Sequence, residues 1–342
     1  MLKIGVIGAG AVAKSHLSGL RCLDDVRVVA IYDPLKDRAE YLARAWGASV
    51  CDTYDEVIDR AEAIWVCTPP SMRRAPAVAA ARAHRHVILD KPIATTMEDA
   101  QAIVAAADAC RGKCMMCFNM RFGWSGQKMK ELVDSGELGH VLSIWSHTIL
   151  PDPSHQSWRH DPQFACGFTI ESMCHNIDQF RWIAGPITGV FASVSRSMPD
   201  LPAFDNTTTA MLNLQCGGTG LLHSSWASTI HSSYGGIIGT GGTVLPDRAG
   251  LRLRTTGMDA DRIIGAPPGH EPLPPEPPFP HPGSLTWDLR APDHYFVECI
   301  RDDRRPEITM RDGLAALEIT LALLKSSAER QLVPVEPIAL GA

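Results

Sequence analysis

The feature that most limits what this chain can fold into lies in its first residues. A β-branched apolar run over residues 2–8 enters Gly8-Ala9-Gly10-Ala11-Val12-Ala13, and residues 11–20 then carry a helical pattern. A strand that turns through this spacing straight into a helix opens a parallel, doubly wound sheet. Gly8 permits the tight turn, and Gly10 lets the backbone approach a diphosphate. Ala13 is small enough for helix and strand to pack closely. The free N–H groups around Ala11 and Val12, together with the helix dipole, make an anion site.

The alternation continues. Residues 26–32, 63–67, 85–89 and 113–118 read as strands; 36–46, 55–60, 72–83 and 95–110 read as helices. The capping box Thr95-Thr96-Met97-Glu98 opens the last of these. That order makes residues 1–120 a dinucleotide-binding domain. Asp33 follows the second strand, 23 positions after Gly10. A carboxylate there accepts hydrogen bonds from the adenosine ribose hydroxyls and repels a 2′-phosphate, which favours NAD. Lys36 and Arg38 lie close by and keep NADP open.

From about Gly139 the pattern changes. Residues 141–150, 187–197, 207–215, 220–229 and 235–240 read as strands without intervening helices. Residues 121–342 are therefore expected to form an α+β domain with a large open, mostly antiparallel sheet. Helices are expected at 126–135, 170–183, 293–301 and 312–329, the last with a core stripe of Leu314, Leu317, Leu321 and Leu324. Between Pro267 and Pro282 nine of sixteen residues are proline, which excludes a regular strand or helix. The segment reads as a surface loop, with a polyproline docking site or subunit arm as the alternative.

Composition removes several function classes. A length of 342 residues exceeds one ordinary domain. The net charge of −6 and the lack of any basic run argue against nucleic-acid or anionic-membrane partners. The longest stretch free of Asp, Glu, Lys and Arg, 206–246, is rich in Ser, Thr, Gly and His, so it reads as strands and turns rather than a membrane span. With no basic leader before a long apolar run, a cytoplasmic location is expected. The ten cysteines are scattered, as reduced core thiols are. Cys114-Met115-Met116-Cys117 lies in a strand-like run, which points its thiols to opposite faces, and no metal is expected.

Two further constellations carry chemistry. Asp90-Lys91-Pro92 directly follows the strand expected over 85–89, at the sheet edge where doubly wound folds bind ligands. Position alone leaves Lys91 either a donor to a substrate oxygen or a solvated loop lysine. Thr68-Pro69-Pro70 makes a similar loop after the strand expected over 63–67. Glu171, His175 and Asp178 fall at i, i+4 and i+7 of an expected helix, beside Ile170, Cys174 and Ile177. Such a row is an acid–base device or a surface ion-pair row.

Taken in order, these motifs resemble the Gfo/Idh/MocA oxidoreductase family over nearly the whole chain. The resemblance rests on the Gly-rich turn, Thr68-Pro69-Pro70, Asp90-Lys91-Pro92 and Phe118-Asn119-Met120-Arg121-Phe122. It continues through Trp158-Arg159-His160-Asp161-Pro162, the Glu171/His175/Asp178 helix and Gly239-Thr240-Gly241-Gly242. It implies a Rossmann domain and an NAD(P)-dependent dehydrogenase acting on a sugar, cyclitol or polyol. It also implies a C-terminal sheet that covers the active site and joins subunits as a homodimer or homotetramer. By position, His175 would be the general base and Lys91 would sit between nicotinamide and substrate hydroxyl. Glu171, in place of the usual Asp, would accept from substrate or imidazole. Thr68, Pro70, Asp90, Asn119, Trp158 and Arg159 would face the cofactor; Arg121 and Arg159 would join Lys91, Glu171 and His175 around the substrate. Asp90 stands for the usual Glu, Arg73 stands where many members carry His, and Met173 replaces a common Gly. Two rival readings are an NAD-dependent redox-cycling glycosidase and a noncatalytic sensor; retention of Lys91 and His175 argues against the sensor. The reading leans to a small neutral aldose or polyol over the acidic sugar that Arg159, His155 and His160 would suit.

Overall fold

The amino-terminal apolar run forms β1 (Leu2–Ile7), near the centre of a parallel sheet. The computed structural model describes residues 1–151, 158–161, 163–198, 204–267 and 288–338; His155, the His160 side chain and Pro268 to Pro282 lie outside them. After β1 come α1 (Ala11–Leu20), β2 (Val26–Tyr32), α2 (Lys36–Trp46), β3 (Ser49–Val50), α3 (Tyr54–Arg60) and β4 (Ala63–Val66). Then α4 (Arg74–Arg82), β5 (His86–Asp90), α5 (Met97–Asp108) and β6 (Cys114–Cys117) complete a six-stranded sheet ordered β3-β2-β1-β4-β5-β6. Helices cover both faces, so the central strands bury apolar runs: residues 4–7 of β1 and all of β4 are buried. α5 opens one residue later than its capping pattern suggested: the Thr96 hydroxyl accepts from the Asp99 N–H at 3.2 Å.

Beyond α6 (Trp124–Asp134) the chain builds a second sheet. Its strands are β7 (Val141–Pro151), then, after α7 (Gly167–Glu171) and α8 (Met173–Ala184), β8 (Ile187–Ser195), β9 (Thr207–Leu214), β10 (Thr219–Ser225) and β11 (Ala227–Gly239). They are joined by β12 (Gly242–Asp247), β13 (Gly250–Thr255), β14 (Arg262–Gly265) and, after α9 (Arg290–Arg301) and α10 (Met310–Glu329), β15 (Val333–Pro334). The nine strands run β14-β13-β12-β11-β7-β10-β9-β8-β15, antiparallel except for the parallel β7–β10 pair. Helices α9 and α10 return to the first sheet's layer: α9 packs on α1, and α10 packs on α5, α8 and β8. Among the described residues no helix is long and apolar enough to cross a membrane.

Two expected elements are divided. The strand expected over 220–229 breaks at Trp226, whose N–H donates to the Asn206 carbonyl at 2.8 Å and whose ring meets Phe168 edge-on at 5.0 Å. The helix expected over 170–183 starts earlier, at Gly167, and is parted at Ser172. Gly167 has φ +80°, and a Cβ there would lie 2.0 Å from the Asp205 carboxylate. That carboxylate instead accepts from the Thr169 N–H at 2.7 Å and satisfies the helix start. At Ser172 the ladder tightens, with the His175 N–H donating to the Ser172 carbonyl at 3.3 Å.

Candidate active site

Parallel strands end at one edge, so the loops after β1, β4, β5 and β6 gather there. Gly8 has φ +93°, and a Cβ on it would lie 2.8 Å from the carbonyl of Cys67, the residue after β4. Gly10 is the opposite case: a Cβ there would meet nothing within 4 Å. That open space, at the N-terminus of α1, fits a diphosphate approaching the backbone. Asp33 stands beside this turn. Its carboxylate accepts from the Ala9 N–H at 2.7 Å and the Leu35 N–H at 2.8 Å, which fixes it beside the Gly-rich turn. Arg38 is exposed on α2, near enough to Lys14 that, after burial, its charge helps lower the Lys14 pKa.

A cavity of about 180 Å³ lies over this edge. From the first sheet it is lined by Gly10, Ala11, Val12, Thr68, Asp90 and Lys91. Asn119 after β6, Trp158, Arg159, Glu171 and His175 close it from the other side. The Lys91 ammonium reaches across and donates to the Glu171 carbonyl at 3.0 Å. Arg159 Nε donates to the Glu171 carboxylate, and its guanidinium lies 4.7 Å from the Trp158 ring centroid. His175 is packed edge-on against Phe118, and its Nδ1 is buried without a hydrogen-bond partner among the described residues. Burial, and then the Lys91 charge, push the His175 pKa well below its ordinary value, so the imidazole is neutral at pH 7. A neutral imidazole and an ammonium on one small cavity can together accept a hydroxyl proton and hold the oxygen left behind.

Residues 2–118 match the oxidoreductase-family NAD-binding Rossmann fold, GFO_IDH_MocA, and residues 127–245 match the GFO/IDH/MocA C-terminal domain. The chain belongs to the Gfo/Idh/MocA oxidoreductase family. Myo-inositol 2-dehydrogenase of Thermotoga maritima is 25% identical over 359 residues, spanning 98% of this chain and 99% of the relative. Glucose-6-phosphate 3-dehydrogenase of Bacillus subtilis is 33% identical over 147 residues, which are 43% of this chain and 42% of that relative. Among solved structures, a levoglucosan dehydrogenase in complex with NADH superposes with a TM-score of 0.84 at 22% identity, covering 98% of this chain and 100% of that one. The last comparison bears on the fold, and the first two bear on the family.

Within this family member, some expected site residues stand elsewhere. Arg121 is not among the cavity-lining residues. Its Nε donates to Asp178 at 2.8 Å, and its Nη2 donates to Asp178 at 2.5 Å and Asp312 at 3.0 Å. This buried group fastens the turn after β6 to α8 and α10, and so removes Asp178 from the row with His175. Glu171 orients towards Arg159, and no described bond joins it to His175. Pro70 is buried in a single 3-10 turn, Pro70–Met72, behind the cavity wall.

The expectations also missed residues. Leu150, Ser172, Trp226 and Leu289 line the cavity, brought in from the end of β7, the α7–α8 break, the β10–β11 break and the approach to α9. No short-range pattern marks them; the break at Trp226 is held by the Asn206 carbonyl, far from it in the sequence. Beneath the cavity His16, Asp90 and Cys117 bring ligand-type atoms within 4.8 Å of one another. His16 Nδ1 pairs with Asp293 at 2.7 Å and Asp90 pairs with Arg73 at 3.3 Å, so a dication would meet charges already balanced.

Proposed function

We propose that this protein is a dehydrogenase that oxidises a hydroxyl of a small neutral sugar or polyol, with residues 1–120 serving the cofactor and 121–342 the substrate and subunit contacts. The observation that carries the reading is the convergence of Lys91 and His175 on the cavity that also opens onto Gly10 and the start of α1. NAD, when bound, supplies the hydride acceptor. The residues that would hold it are Gly8, Gly10, Ala11 and Val12 at the diphosphate, and Asp33 at the ribose. NADP remains a second cofactor because the cationic Lys36 and Arg38 follow Asp33 closely in the sequence.

His175 accepts the hydroxyl proton on its imidazole. Lys91 donates a hydrogen bond to the same oxygen and stabilises it as its negative charge grows. Arg159 holds Glu171, which supports a neutral substrate: the guanidinium already has its carboxylate inside the protein. Relatives named as inositol and glucose-6-phosphate dehydrogenases support a polyhydroxylic substrate.

A homodimer or homotetramer through the open face of the second sheet belongs to the same reading. Phe191, Met211 and Leu221 sit side by side on β8, β9 and β10, each more than 40% exposed. A monomer by light scattering would remove this assembly.

The test is absorbance at 340 nm with NAD and, separately, NADP, over a panel of aldoses, uronates and cyclitols. A rise with an aldose or cyclitol is expected. A flat panel would overturn the dehydrogenase, and NAD released on denaturation would then favour the redox-cycling glycosidase.

A further inference from the structure

Arg73 lies on the floor of the cavity and is 2% exposed. An arginine buried this deeply needs acceptors for its fork and a counter-charge. It finds both on two loops. Nε donates to the Thr68 carbonyl at 3.0 Å, on the loop after β4. Nη1 donates to the Asp90 carbonyl at 2.6 Å and also to the Pro92 carbonyl, on the loop after β5. Nη2 faces the Asp90 carboxylate at 3.3 Å.

The two carbonyls on Nη1 flank Lys91. One guanidinium therefore grips the backbone on either side of the residue whose ammonium crosses the cavity to the Glu171 carbonyl. We propose that Arg73 is a positioning residue: it sets the reach of Lys91 into the cavity, with the Asp90 carboxylate as its counter-charge. The inference rests on the assignment of Lys91 to the reacting oxygen. Lysine is no substitute at position 73, because a single ammonium cannot serve three carbonyls on two loops in the planar geometry of the fork. Methionine fills much of the same space without charge, and is tolerable only if Asp90 is neutralised with it, since a lone buried carboxylate destabilises the fold.

The experiment compares R73K with the parent and R73M/D90N with D90N, which serves as the parent of the double variant because Asp90 itself lines the cavity, all as NAD-supplemented full chains. The first keeps the charge pair and loses the fork; the second removes both charges, so a folded protein is available from one if not the other. Two readouts are taken: the kcat and KM for the sugar, and the rate at which an amine-reactive reagent modifies Lys91, followed by mass spectrometry. The expected result is a kcat lower by about 10²-fold, a smaller change in KM, and several-fold faster modification of Lys91. A purely structural Arg73 would lower the melting temperature and leave both readouts at parental values in the folded variant; that result overturns the proposal, as does faster modification with an unchanged kcat. The labelling arm needs no substrate, so a parent enzyme silent on every sugar would count against the dehydrogenase reading and leave the test of Arg73 standing.

Discussion

The two walls of the cavity are built in different ways. The first-sheet wall is set by backbone hydrogen bonds in a parallel register: the Gly8 N–H donates to the Tyr32 carbonyl and the Cys67 N–H to the Ile7 carbonyl, each at 2.8 Å. Every strand ends at the same edge, so each loop that follows is delivered there. The opposite wall is assembled from residues near 150, 159, 172, 226 and 289, and side chains hold it. Arg159 grips Glu171, Asp205 starts α7, and Arg121 ties Asp178 to Asp312. A wall made by a repeating backbone pattern is legible locally. A wall made by ion pairs between distant segments is not.

The sharpest way to break this comparison is His175→Ala on the second wall. The substitution is expected to lower kcat by about 10²–10⁴-fold in steady-state assays, and a parental rate would remove His175 as the base. On the first wall, Asp33→Ala removes the acceptor of the Ala9 N–H and the expected ribose contact. NAD binding should weaken by about tenfold to a hundredfold, with NADP affected less, as read by titration of each cofactor. An unchanged NAD-to-NADP ratio would place the ribose elsewhere.

Gly8→Ala tests the backbone pattern itself. A Cβ 2.8 Å from the Cys67 carbonyl, at φ +93°, should cost about 1–3 kcal/mol, measured by denaturant unfolding. Gly10→Ala should leave stability near parental, because no protein atom lies within 4 Å, and should act on cofactor affinity instead. Equal destabilisation by both would contradict the cradle. The smallest effect is the acid limb of kcat/KM. His175 must be neutral to accept a proton, and burial followed by the Lys91 charge lowers its pKa. Activity should therefore persist as pH falls below about 6.5 and fail only at the lowered value. A limb at or above the ordinary histidine range would show that the imidazole is solvated or paired in solution.

Five of the six strands of the first sheet were legible to within a residue or two, because β-branched runs alternate with helical periods; β3, two residues long, was not. Asp33 and Lys91 followed from their places just after strands. The second sheet was legible as antiparallel strands but not in its divisions. β11 runs from Ala227 through Ser228, Ser232 and Ser233, where apolar alternation lapses, and it is defined by pairing with β7. β12, β13, β14 and β15 went unmarked; β12 carries Pro246 within it, and β15 is two residues long. The i, i+4, i+7 row of Glu171, His175 and Asp178 assumed an unbroken helix, and the parting at Ser172 ended that register.

By itself the sequence determined the Gly-rich turn, the parallel sheet and the loop that carries Lys91, since strand and helix periods and glycine's freedom at positive φ act over a few residues. The tertiary structure decided which charged side chains face the cavity and which are bound elsewhere. Arg121 is taken by Asp178 and Asp312, Arg159 by Glu171, and Arg73 by the two loops beside Lys91. The physical reason is distance: a buried charge must find its partner within a few ångströms, and for Arg121 that partner lies 57 and 191 positions away along the chain.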